Sequence, residues 1–355
     1  SRYEYVMPNF VFERNLLTSE KIGLIDLHTN AIGKNYNVDQ TTKFLVNDLS
    51  WKTNLSRNVR GVESRLEGLF KIVNYEATEA EKYKSEELNT ELSGAVAYKA
   101  SLPMSKENPG KNQIGFLTPK FSLRYAPGHM RNIHDDTLKL GYSNLFSINK
   151  NSQIDVIEKG TSIALGLEIS NNDFSDNVKG EENYSVSIGQ IYNLEENSDI
   201  PSQSSLDQKT SDLVGLSSIK LSKNIKLSHE FSLDHNFNDV NYNNLQADLV
   251  LGNTNFNLSF LEENNHVGSA SYIKSDVQVK FSDSKELTFD LKKNLETDST
   301  EFYNLAYNYI NDCLKAGLVF RREFYTDKDV ESSDSLMFKI SLLPFGEIST
   351  PEIDR

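Results

Sequence analysis

The segment Ile225 to Asn238, IKLSHEFSLDHNFN, sets Ile225, Leu227, His229, Phe231, Leu233, His235 and Phe237 on one side. Lys226, Ser228, Glu230, Ser232, Asp234, Asn236 and Asn238 fall on the other. Period 2 carried over 14 residues is the repeat of a strand, where a helix would return every 3.6. The alternation recurs along the chain. Val62, Leu66, Phe70 and Ile72 oppose Glu63, Arg65, Glu67 and Lys71, and Ile163, Leu165, Leu167 and Ile169 oppose Ala164, Gly166 and Glu168. Later runs include Leu245 to Leu251, Phe256 to Phe260, Val277 to Phe281, Leu287 to Leu291, Tyr303 to Tyr309 and Phe338 to Leu342. The pattern predicts an all-β, antiparallel chain of about 18 strands with no helix.

Many runs exceed the usual strand of about 5–6 residues and approach the roughly 9–11 that cross a bilayer at a tilt. Composition bears on which solvent meets the apolar face. Only 37% of residues are hydrophobic, the net charge is -14 and the mean hydropathy is -0.51, which is poor material for a water-soluble core of this size. Yet 19 Phe and 16 Tyr are too many for a disordered acidic chain. The acidic balance and the lack of a Lys/Arg block exclude nucleic acid as a partner, because phosphate binding needs a clustered positive footprint. No apolar run reaches the length of a transmembrane helix. The opening SRYEYVMPNF has no signal-peptide regions and looks like strand interior, so the chain reads as a fragment whose export signal, if any, lies upstream.

A soluble sandwich and an outer-membrane barrel give the same alternation; turn spacing separates them. Short turns fall at Ser222-Lys223-Asn224, Gly252-Asn253-Thr254, Ser282 to Lys285 and Asn311-Asp312. Longer polar connections lie between them, at Phe237 to Asn244, Glu262 to Ser271, Leu295 to Thr300 and Tyr325 to Ser335. Short turns alternating with long loops are the pattern of a transmembrane barrel, which this reading favours over a soluble β-sandwich or β-helix. Pro8, Pro119 and Pro344 must then sit at an edge, a bulge or a strand end, since proline cannot donate to a ladder. Glu63, Glu67, Lys226, Glu230 and Asp234 become candidates for the lumen lining, read as a solvated wall.

No motif points to chemistry. GHMRNIHDD, Gly128 to Asp136, gathers His129, His134, Asp135 and Asp136, but the spacing fits no compact metal motif and a polar surface loop accounts for it. Ser, His and Asp are all present, yet there is no G-x-S-x-G elbow and no Gly-rich phosphate loop. A non-enzyme is expected, with no cofactor and no metal.

Two stretches carry more than periodicity. One runs from QIGFLTPKFSLRYAPGHMRN at Gln113 through LFSINKNSQIDVIEKGTSIALGLEI to YSVSIGQIYNL. Its distinctive elements are Leu117-Thr118-Pro119, Leu123-Arg124-Tyr125, Leu145-Phe146-Ser147, Ile154-Asp155 and Ser187 to Tyr192. The other is Tyr309 to Phe324, YINDCLKAGLVFRREF, which holds the only cysteine, Cys313. Together they resemble the C-terminal barrel of the LPS-assembly protein family LptD (OstA), strongest over 113–194 and 303–324. On that resemblance residues 1–345 are the C-terminal part of the barrel, incomplete in this fragment, and 346–355 a short tail. The N-terminal periplasmic domain and the first strands lie outside the sequence.

The resemblance implies an outer-membrane translocon that receives lipopolysaccharide from a periplasmic bridge protein and inserts it into the outer leaflet through a lateral gate. It implies a plug lipoprotein of the LptE type as partner, and lipopolysaccharide and outer-membrane lipid as the surroundings. The candidate gate strand is Leu336, Phe338, Ile340 and Leu342, ending at Pro344. In the relatives the turn near Cys313 carries two adjacent cysteines bonded to the periplasmic domain. Here Asp312-Cys313 stands in that place, so at most one such disulfide can form. A general porin or nutrient channel is the alternative and predicts a constriction loop; a barrel hydrolase and a soluble binding domain are further ones.

Overall fold

The computed structural model describes residues 5–35, 40–80, 83, 87–128, 130–131, 138–151, 153–173, 181–264, 270–324 and 334–342, and the backbone alone of 346–349 and 353–354. Two compact units divide it: Ser1–Lys179 with Val186–Gly215 and Ser232–Asp239, and Gly180–Ser185 with Leu216–Phe231 and Val240–Arg355. Among the described residues there is no α-helix, only two single 3-10 turns, Pro109–Lys111 and Ser202–Ser204.

The first unit is an antiparallel meander of β1 (Tyr5–Ser19), β2 (Gly23–Asn35), β3 (Thr41–Lys52), β5 (Glu63–Thr78), β6 (Asn89–Ser101), β8 (Gln113–Ala126) and β9 (Gly160–Asp173), each paired with the next. The short β4 (Ser56–Arg57) adds to β5, and β7 (Met104–Asn108) continues the edge of β8 beyond β6. The last part of β10 (Glu182–Asn193) also belongs here.

Side-chain burial in this unit is the reverse of that in a water-soluble sheet. On β5, Glu67 and Lys71 are 3% and 2% exposed while their neighbours Leu66 and Phe70 are 46% and 43% exposed. On β8, Ser122, Arg124 and Ala126 are buried and Leu123 and Tyr125 exposed. Exposing such rings and aliphatic chains is unfavourable in water and favourable in lipid, which makes the apolar face the outer one.

The prolines obey the ladder rule. Pro8 sits at the register shift between Val6 and Asn9. Pro119 sits where β8 changes partner from β6 to β7, and its carbonyl accepts the Leu102 N–H at 3.1 Å. Pro344 lies outside the described residues.

The second unit continues the rule over β13 (Val240–Leu251), β14 (Thr254–Glu263), β15 (Ala270–Ser282), β16 (Lys285–Asn294), β17 (Ser299–Ile310), β18 (Leu314–Glu323) and β19 (Asp334–Leu342). Directly opposed partners form a polar row, Asp248, Asn257, Asp276, Asp290, Asn304, Arg321 and Ser335. One residue along lies an apolar row, Leu249, Phe256, Val277, Phe289, Leu305, Phe320 and Leu336. A register slip of one residue would exchange the two, so the alternation holds the pairing in place. The short turns fall where the sequence puts them, after β11 (Leu213–Ser222), β13, β15 and β17.

One expectation needs correction. The run from Ile225 is a strand, β12 (Ile225–Leu233), only as far as Leu233. Asp234 ends it by turning the chain. Its carbonyl accepts the Phe237 N–H at 2.7 Å, its Oδ2 accepts the Asn236 N–H at 3.0 Å, and its own N–H donates to the Asp239 carbonyl at 2.9 Å. His235 and Phe237 thus leave the strand, Asp234 is a turn residue instead of a wall residue, and Val240 to Asn244 are strand instead of loop. Within residues 346–355, β20 (Gly346–Ser349) and β21 (Ile353–Asp354) both pair antiparallel with β19.

Candidate functional site

The polar face of the first unit is covered by the chain itself. β8 ends at Ala126, and Pro127 with Gly128, at φ +100°, turns the chain into the long connection of residues 127–159. Glycine adopts that backbone conformation at little steric cost. Met130, Leu138, Leu140, Tyr142, Leu145 and Val156 of the connection are buried against Ala164, Ile191 and Val214 of the sheet. Ile200 and Leu206, from the connection after β10, join the same cluster. Two glycines make room for it. A Cβ at Gly189 would stand 2.3 Å from Leu145 Cδ2, and one at Gly166 2.7 Å from Phe146 Cζ. Leu145-Phe146 and Gly189, both among the family-like elements of the sequence, are the two sides of one contact.

Charged anchors pin the connection down. Lys71 lies 2.7 Å from a carboxylate oxygen of Asp48 and donates to the Ile154 carbonyl at 2.6 Å. Arg124 donates from Nε to the Ile148 carbonyl and from a terminal nitrogen to the Glu158 carbonyl, each at 2.5 Å. Arg131 is the densest anchor: it pairs with Asp155 at 2.5 Å and with Glu91, and its guanidinium lies 5.0 Å from the Tyr75 ring and 4.5 Å from the Tyr83 ring. The Tyr75 and Tyr83 hydroxyls donate to Glu91 and Asp155 at 3.1 and 3.0 Å. A buried guanidinium is tolerable only when paired in this way, and losing one partner strands the other charge. Lys150 is buried with its ammonium 3.7 Å from Glu158, and burial brings its pKa down to about 8 against the partial offset of that carboxylate. Burial, with Glu168 close by, pushes the Tyr142 phenol up.

The polar face of the second unit differs. Among the described residues no connection packs into it, and β16 to β19 leave a cavity of about 310 Å³ lined by Asp290, Asn304, Lys315, Gly317, Arg321 and Lys339 among others. No group of three or more His, Cys, Asp or Glu among the described residues is placed to hold a metal ion.

The family model for LptD, LPS transport system D, matches residues 69–312, well over half of the 355 residues. The chain belongs to the LptD family. The match spans the covered face, its connection and most of the strands of the second unit. It makes this an outer-membrane β-barrel protein of a transport family. No curated protein matches the sequence. Among solved structures it is similar to a variant of the Rhodopseudomonas blastica porin, at 10% identity over 81% of this chain and 92% of that one, with a TM-score of 0.35. It is also similar to the siderophore receptor PirA from Acinetobacter baumannii, at 8% identity over 93% and 63% of the two chains, with a TM-score of 0.47.

In this LptD-family chain the residues singled out from sequence fall in separate places. Glu67 is not a solvated wall residue: it is buried and paired with Arg65 at 2.8 Å and Lys99 at 2.6 Å. Glu63 begins β5 with Arg57 at 3.9 Å. Lys226 is exposed and Glu230 half-buried, on the β12 face that carries buried Ser232. Leu336, Phe338 and Leu342 are exposed on the apolar face of β19 and Ile340 is half-buried there. Cys313 is exposed in the β17–β18 turn, which Asn311 closes by accepting the N–H groups of Cys313 and Leu314 at 3.0 and 2.8 Å.

GHMRNIHDD is no surface loop where it is described, since Met130 is buried and Arg131 is the anchor above; His129, His134, Asp135 and Asp136 lie outside the described residues. Sequence reasoning missed Lys71, Arg124, Arg131 and the two tyrosines as a set. Their signal is the length of the connection after β8, which no short turn interrupts.

Proposed function

We propose that the chain supplies wall strands of an outer-membrane translocon that passes lipopolysaccharide from the periplasm to the outer leaflet. The match of the LPS transport family over residues 69–312 carries this reading. A sheet whose outer face is apolar and whose other face is polar supports it, because a glycolipid needs a wet route for its head group while its acyl chains leave into lipid. On this reading the partners are a plug lipoprotein, a periplasmic bridge protein and lipopolysaccharide itself. β19, with Leu336, Phe338, Ile340, Leu342 and Pro344, is the gate strand, and its backbone pairing with β20 and β21 must shift for the gate to open. Cys313, the only cysteine, would bond to a partner outside this sequence.

A general channel is the second reading, favoured by one observation: a connection lying on the polar face is what a constriction loop would look like. Photocrosslinking from Phe338, Ile340 and Glu230 in cells tests the two. Adducts with lipopolysaccharide, lost when its periplasmic supply is cut, are the expected result. Adducts with small solutes alone would replace the translocon by a channel.

A further inference from the structure

The two ends of the second unit treat their cations differently. Toward the long loops each described lysine and arginine of β15 to β18 has a carboxylate. Lys274 pairs with Asp276 at 3.2 Å, Lys292 with Glu301 at 2.7 Å and Lys293 with Asp298 at 2.6 Å. Arg321 pairs with Glu323 at 2.5 Å and Arg322 with Asp334 at 3.3 Å. At the short-turn end Lys223, Lys226, Lys280 and Lys285 are exposed, and none of them makes an ion pair. Lys315 and Lys339 are not among these free cations, since each has a partner. The carboxylates at this end leave the four as they are. Glu286 is buried and taken by Gln278 at 2.8 Å, Asn308 at 3.2 Å and Lys315 at 3.7 Å. Asp283 and Asp312 lie exposed in their turns and pair with none of the four.

Backbone bonds set the short turns side by side along one rim. The Val250 N–H donates to the Asn224 carbonyl at 2.8 Å, Lys280 N–H to the Asn253 carbonyl at 2.9 Å and Ile310 N–H to the Ser284 carbonyl at 2.8 Å. Neighbouring strands stand about 4.8 Å apart, so Lys226 on β12 and Lys285 on β16 are separated by about 19 Å across the sheet. One small anion cannot span that row, whereas a line of head groups can. Exposed apolar side chains reach the same level, namely Leu221, Leu251 and Phe281, and Lys285 stands opposite Tyr309 on the apolar face. A lysine beside such a face lays its stem along it and carries its ammonium to the polar layer. A soluble acidic partner would call for the charge without this exposed apolar rim.

We infer that the short-turn rim of β11 to β16 is a docking surface for the anionic phospholipid head groups of the leaflet it faces. Lys223, Lys226, Lys280 and Lys285 are its phosphate contacts, and the apolar rim beside them meets the acyl chains. Short turns mark the periplasmic side of an outer-membrane barrel, so the surface fixes how deep that side sits. The inference needs only the barrel and stands whether or not lipopolysaccharide passes through it.

The experiment uses the full chain in vesicles of equal parts phosphatidylcholine and phosphatidylglycerol, with bromine carried by one lipid or the other. A tryptophan reports which lipid lies beside it: Phe281→Trp at the short-turn end and Ile273→Trp on the same face toward the long loops, each in a Trp51→Phe background. Quenching at Phe281→Trp is expected to show at least about fivefold preference for phosphatidylglycerol. Quenching at Ile273→Trp should show none. Lys223→Gln/Lys226→Gln/Lys280→Gln/Lys285→Gln should abolish the preference, with strand content by circular dichroism as folding control. Lys285→Gln alone, the fallback if the fourfold variant does not fold, should reduce it about twofold. Equal quenching by the two lipids at Phe281→Trp would overturn the docking surface. A preference that survives loss of the lysines, or one equally strong at Ile273→Trp, would overturn their part in it. Inorganic phosphate should weaken the preference no more than chloride of the same ionic strength does. Selective displacement by phosphate would replace the lipid surface by a small-anion site.

Discussion

The polar faces of the two units are built from one alternation and end differently. On β5 and β8, Lys71 and Arg124 are buried and donate to backbone carbonyls of the connection after β8, and Glu91 of β6 pairs with Arg131 of that connection. On β16 to β19 the polar side chains line a cavity, and Arg321 keeps an unused donor. The contrast teaches that a polar strand face is an incomplete instruction. It becomes a packed interior where a long connection brings apolar knobs and matching hydrogen-bond groups. It stays available to a ligand where turns are short.

Four experiments would break or sharpen this contrast. Arg131→Ala should cost about 3–5 kcal/mol, because Glu91 and Asp155 lose their cation and the Tyr75 and Tyr83 rings lose the guanidinium packed on them. Arg321→Ala, on the open face, should cost less than about 1 kcal/mol, as for a partly exposed ion pair. Denaturant unfolding in detergent micelles gives both numbers, and equal costs would erase the distinction between covered and open faces.

Next in size, Phe289→Arg on the apolar row should destabilise by about 2–4 kcal/mol, the cost of a cation facing lipid near mid-membrane. Thr288→Arg, its neighbour on the polar face, should be near neutral. Equal destabilisation in vesicles would deny that the apolar row faces lipid.

Gly189→Ala should cost about 1–3 kcal/mol by pushing Leu145 out of its notch. Limited proteolysis within residues 138–159 should rise with it, and combination with Leu145→Ala should restore part of the protection. Unchanged cleavage would mean that the connection is not held by that notch.

The smallest effect is on pH. The Lys150 pKa is depressed to about 8 by burial, so in the folded chain the cost of holding it charged is present below that value. Between about 8 and the ordinary lysine value near 10.4 the unfolded chain binds the extra proton, and stability should rise with pH. Protection of the connection should therefore increase modestly from pH 8 to 10 in wild type and less in Lys150→Met. A flat wild-type profile would place Lys150 in water.

Strand existence, strand type and the short turns were legible because a period of 2 over many residues has one geometric reading. The end of β12 was not. Through Asn238 the alternation is formally intact, and the strand stops because the Asp234 side chain and backbone satisfy the next amides locally, a competition that periodicity does not record. Glu67 looked like a lumen residue and does lie on the polar face, but nothing along β5 shows that Arg65 and Lys99 close around it. Lys99 reaches it from another strand.

What sequence alone determined is the all-β antiparallel design, the assignment of apolar and polar faces and, through its ordered motifs, the family. These follow from local periodicity and from residue order, which need no knowledge of what packs on what. What only the tertiary structure decided is which polar face is filled. Leu145 meets Gly189, and Arg131 meets Glu91 and Tyr75, across 40 or more residues of chain. Contacts at that separation depend on the register of every strand between, and no local pattern encodes that sum.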